Sequence, residues 1–127
     1  MRKTIFILSF VLFAIGTNAQ ITKKAINAIK NNNIETISSH MDSEVELCIL
    51  GDTEFLSADE ATSRLNSFIK SIQPKRLNSI HEGSSKNKGS KYGVANLESA
   101  KGVYRLFVFV EDVKNKQIIR EIRIDRE

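Results

Sequence analysis

Two histidines, one cysteine and a few charged residues set among apolar runs are the side chains of this sequence that could do chemistry. His81 falls in a strand-like stretch, residues 75–85, and histidine is the natural acid–base group near neutral pH. A catalytic histidine needs an orienting partner, and the adjacent Glu82 points to the opposite face of a strand. The plainer reading of His81 is structural or hydrogen-bonding. His40 ends a short helix, where a cation suits the dipole, and is read as structural. Arg120 interrupts the apolar residues Ile118 and Ile122. Either it pairs with Glu111 while its stem lies along apolar surface, or its guanidinium is presented to a carboxylate-bearing ligand. Tyr92 and Asn96 share its expected face and would add hydrogen bonds. Cys48 has no second cysteine to bond within the chain, and burial in a strand is the simplest protection for its thiol. Intermolecular pairing and metal binding are the alternatives for it. Two separated histidines and one cysteine lack metal-ligand spacing. No phosphate-cradling glycine loop or nucleophile elbow is present, so no metal and no cofactor are expected.

The elements that must position these residues centre on three strands between Tyr92 and Asp125. The run Val103-Tyr104-Arg105-Leu106-Phe107-Val108-Phe109-Val110 is dense in β-branched and aromatic residues. Turn signals at Lys101-Gly102 and around Lys114-Asn115-Lys116 separate it from its neighbours. Two-residue turns at both places fix the faces, because side chains alternate along a strand. One face then carries Val94, Phe107, Phe109, Ile122 and Ile124 and is expected to be the core. The other carries Ala95, Leu97, Leu106, Val108 and Val110 and ends on Glu121, Arg123 and Asp125. Tyr92, Glu111 and Arg120 come roughly abreast at one end, and Glu98 faces Arg105 at the other.

Upstream, Ile21, Ala25, Ala28 and Ile29 recur at helical spacing, and Asn31-Asn32-Asn33 breaks the pattern. A short helix over residues 34–40 follows, then a strand over 44–50. Gly51-Asp52 turns the chain into a short second strand, residues 53–56. Ser57-Ala58-Asp59-Glu60 is a capping box that opens a long helix ended by Pro74. Ala61, Leu65, Phe68, Ile69 and Ile72 make its apolar stripe, as a helix lying on a sheet requires. The order α-α-β-β-α-β-β-β-β predicts one α+β domain.

Composition bears on the compartment. Arg2-Lys3, an apolar stretch over 5–15 and Thr17-Asn18-Ala19 form a secretory leader, residues 1–19, with cleavage expected before Gln20. The apolar stretch is short beside the roughly 20 residues that a membrane span needs. The chain has 19 Lys and Arg against 15 Asp and Glu; loss of Arg2 and Lys3 leaves 17 and lowers the net charge from +4 to +2. The expectation is a single exported domain, residues 20–127, in the periplasm or outside the cell. It would have no membrane contact after cleavage, and no nucleic-acid partner for want of an aromatic-basic patch.

The element order resembles the nuclear transport factor 2-like (cystatin-like) superfamily. The residues are closer still to an exported bacterial family, domain of unknown function 4783. The matching features are Ala25-Ile26 through Asn33, Val45-Glu46-Leu47, Ser57 to Ala61, Pro74, His81-Glu82-Gly83-Ser84, Tyr92 to Leu97 and Gly102-Val103-Tyr104-Arg105. The resemblance implies a cone: a curved mixed or antiparallel sheet of about six strands packed on a long helix, plus two short N-terminal helices. It also implies an exported location and assigns no activity, so the residues themselves leave two functions to weigh. One is a non-enzymatic module binding a small ligand or an exported partner protein, with Tyr92, Asn96, Glu111, Arg120 and His81 as candidate ligand contacts. Leu97, Leu106, Val108 and Val110 are then candidate interface residues, and the chain is expected to dimerise through the sheet. The alternative is a ketosteroid isomerase-like or polyketide cyclase-like enzyme with His81 or Glu111 as base inside the cone, beside Tyr92.

Overall fold

The computed structural model describes residues 21–85 and 89–127, so the leader assigned to residues 1–19 lies outside the described residues. The elements are α1 (Ile21–Lys30), α2 (Glu35–Ser38), β1 (Met41–Ile49), β2 (Asp52–Leu56), α3 (Ala58–Ile72), β3 (Pro74–Ser84), β4 (Ser90–Ser99), β5 (Gly102–Val113) and β6 (Lys116–Arg126). The order read from the sequence is the order found. Six strands form one curved sheet, β2-β1-β6-β5-β4-β3. It is mixed, because β1 runs parallel to β6 while the other neighbours are antiparallel.

Local chemistry sets the boundaries. The Glu60 backbone N–H donates to Ser57 Oγ at 3.3 Å, which caps α3. At the other end Gln73 adopts the left-handed conformation (φ 54°), and Pro74 begins β3. Leu50-Gly51 and Lys114-Asn115 both have positive φ at both residues, the backbone of the tight turns that suit twisted hairpins. Gly93 is required by packing. A Cβ there would stand 2.8 Å from Ile26 Cδ1 and 3.2 Å from Thr22 Cβ, so its absence lets α1 lie on the sheet.

Helices α1 and α3 cover one face of the sheet, which we term the inner face. α1 contributes Ala25, Ile26 and Ile29, and α3 contributes Ala61, Leu65 and Ile69, all fully buried. Against them pack Ala95, Leu97, Leu106, Val108, Val110, Ile119, Ile122 and Ile124. Phe68 meets Tyr104 edge-on at 5.7 Å.

This reverses the face expected for β4 and β5. Val94, Phe107 and Phe109 are half-buried on the outer face, while Leu97, Leu106, Val108 and Val110 are at most 1% exposed. Those four are therefore core residues under the helices, not an outward interface. The reason lies in β6. Val110 opposes Ile119, yet Phe109 opposes Glu121, so Arg120 is an extra, unpaired residue in the strand. The bulge carries Ile122 and Ile124 to the side of Val108 and Leu106, their strand partners. The β4–β5 turn is also Ala100-Lys101, since Ser99 opposes Gly102.

Candidate functional site

The interior of the sheet-and-helix wrap holds apolar side chains at full burial. Pairing across the sheet sets out the outer face row by row. One row runs Gly83, Tyr92, Phe109, Glu121, Glu46 and Phe55 from β3 to β2. The next runs His81, Val94, Phe107, Arg123, Cys48 and Thr53. In these two rows the β4–β5 part is apolar, and Glu121, Glu46 and Arg123 bring charge to the β6–β1 part.

Tyr92 is 41% exposed and stacks on Phe107, ring centroids 6.2 Å apart and planes 24° from parallel. Its ring also covers Gly83 and leaves no room there for a Cβ. Val103 is 39% and Phe55 64% exposed on the same face. Phe55 escapes a reading by periodicity, because β2 is short and lies at the sheet edge. Cys48 is buried on this face, opposite Thr53 and Arg123. Arg123 donates to Glu121 Oε1 at 3.0 Å, and that hydrogen bond holds the guanidinium above its ordinary pKa.

The polar residues expected to converge do so only in part. Arg120 Nη2 lies 3.3 Å from Glu111 Oε2, which makes the expected pair. Its Nη1 donates to Asp42 Oδ2 at 2.6 Å, a partner the sequence reading missed. Arg120 Nε is buried and has no hydrogen-bond partner among the described residues. Tyr92 is not abreast of them, since it opposes Phe109 while Glu111 opposes Ser90. Asn96 Nδ2 donates to Glu127 Oε1 at 3.3 Å, away from Arg120. Glu98 faces Val103 rather than Arg105, and it pairs with Arg76 of β3. That hydrogen bond from Arg76 pulls the Glu98 carboxyl below its ordinary pKa, and it raises Arg76 in turn.

His81 is exposed on the outer face opposite Val94, and Glu111 sits at the sheet end with Arg120. Neither reaches the interior, so the base expected inside the cone is overturned: both side chains alternate away from the helices. His40 is half-buried where α2 leads into β1. Two open grooves flank the helices. One of about 990 Å³ lies between α2 and α3 and is lined mainly by Asn, Ser and Thr. The other, about 800 Å³, lies where α1, β1 and the β5–β6 turn meet.

Residues 22–125 match the family model described as Domain of unknown function (DUF4783). Among solved structures, the chain is similar to a DUF4783 family protein from Bacteroides ovatus ATCC 8483, with 25% identity and a TM-score of 0.74, covering 81% of this chain and 92% of that one. It is similar to another from Bacteroides fragilis YCH46 at 28% identity and TM-score 0.72, covering 81% and 95%. An NTF2-like protein from Cytophaga hutchinsonii ATCC 33406 shares the fold at 12% identity and TM-score 0.60, covering 84% and 93%. No curated protein matches.

Proposed function

The chain belongs to the DUF4783 family, a domain of unknown function on a nuclear transport factor 2-like fold, and from that premise we propose an exported interaction module that docks through the outer face of its sheet. Export rests on the leader-like residues 1–19. The observation that carries the docking surface is the cluster of Tyr92, Val94, Phe107 and Phe109 on neighbouring rungs of β4 and β5, turned away from the helices. Contiguous apolar surface of this kind, rimmed by charge, is what an interface offers. The filled interior supports docking over capture of a ligand inside the cone.

The occupant we favour is a second copy of the chain. The outer face carries acids, Glu46 and Glu121, beside the bases Arg105 and Arg123. A twofold axis through the apolar half can set the bases of one copy against the acids of the other. Sedimentation of the purified protein from about 1 to 200 µM should show a concentration-dependent dimer with a Kd in the usual micromolar range or tighter. Phe107→Glu should weaken it by at least about tenfold while the melting transition stays close to wild type. A wild-type chain that stays monomeric across that range rejects self-association.

A further inference from the structure

We propose that the groove between the first turn of α1, the start of β1 and the β5–β6 turn binds a small carboxylate bearing an apolar tail. The groove is about 800 Å³, enough for a ligand of that size. Its lining combines an apolar floor and a charged rim with the polar side chains of Ser39, His40, Ser43, Asn115 and Gln117. Ile21 and Met41 are 7% and 9% exposed and form an apolar floor. Lys24 and Lys116 stand exposed at the rim. The one acid in the lining is Asp42, and Arg120 Nη1 already engages it at 2.6 Å.

Among the described residues neither rim lysine pairs with an acidic side chain, and the remaining residues of the sequence contain no Asp or Glu. The groove therefore offers uncompensated positive charge above an apolar floor. A concave site lined by one sign of charge concentrates ligands of the opposite sign. An uncharged apolar molecule would leave the lysines unused, and a bare inorganic anion would leave the floor unused. A carboxylate with a short alkyl or aryl body uses both. None of the outer-face aromatic residues lines this groove, so the site stands or falls apart from self-association.

Octanoate is a suitable probe, with octanol and inorganic phosphate as matched controls. Methyl NMR of the purified protein should show saturable shifts at Ile21 and Met41 on adding octanoate. Each control should bind about tenfold more weakly. Lys24→Gln with Lys116→Gln should weaken octanoate about tenfold while the methyl spectrum of the free protein keeps its dispersion. Both lysines are exposed, so this variant folds. The proposal is overturned by any of three results: no saturable shift at millimolar octanoate, octanol or phosphate binding as well as octanoate, or the double variant binding like wild type.

Discussion

Arg120 holds two carboxylates that come from strands on either side of it, and the two contacts are unequal. Asp42 is closer, at 2.6 Å against 3.3 Å, and its side chain is 23% exposed against 41% for Glu111. Exposed pairs contribute little because water screens them, whereas a shorter, better-covered charged hydrogen bond is worth more. Asp42→Ala should therefore cost about 1–2 kcal/mol in urea unfolding, and Glu111→Ala under about 1 kcal/mol. Equal costs would mean that the geometric difference has no energetic weight. Glu98 lends itself to a test by pH. Its folded pKa is lowered by Arg76, so its contribution is present above the ordinary carboxylate range and is lost as pH falls through the folded value. Glu98→Gln should melt below wild type at pH 7, with the gap closing in acid; a gap that persists there contradicts the pairing. Of these partners, only Glu111 with Arg120 was legible in the sequence, because β5 and β6 are joined by a short turn. Asp42 reaches Arg120 through the parallel β1–β6 pairing, which no local turn encodes. Arg76 meets Glu98 across a hairpin whose register shifts after Asn78.

At the scale of elements, the helices and strands were readable and the faces were not. The Ser57 cap, the α3 stripe and Pro74 are local signals, and they bound α3 as expected. β4 and β5 are apolar on both faces, so alternation says only that two faces exist. The choice between them was made on Ile122 and Ile124, and the bulge at Arg120 moves those residues to the other side. One extra residue thus decides which half of the sheet meets the helices. Deleting Arg120 would remove the bulge yet leave Ile119 opposite Val110, Glu121 opposite Phe109 and Ile122 opposite Val108, so the core face of β6 is kept while the contacts to Asp42 and Glu111 are lost. That variant should keep a cooperative thermal transition, at a lower temperature than wild type. Arg120→Gly keeps the bulge and should retain the transition at a lower temperature. A deletion variant without a cooperative transition would show that the bend of the bulge, and not only the register beyond it, is needed for the fold.

At the scale of the molecule, one sheet separates two regions of different use. The inner face is consumed by packing against α1 and α3, and the outer face and the helix-side grooves lie at the surface. The cone expected from the resemblance is present as a fold, but Ile26, Leu65, Ile69 and Leu106 occupy its interior. Which side chains fill such a space depends on how far α1 descends onto Gly93, and that is a matter of tertiary packing. The strand order carries a consequence in time. β6 is last in the sequence yet lies between β1 and β5, with Leu47 meeting Ile122. Until β6 emerges, β1 has only the short β2 beside it, and the sheet is in two pieces. A chain threaded through a membrane from its N-terminus would stay transport-competent until nearly its whole length had crossed, because the strand that joins the pieces arrives last. Such long-range closure is also slow by nature, which lengthens the interval before the two pieces become one sheet.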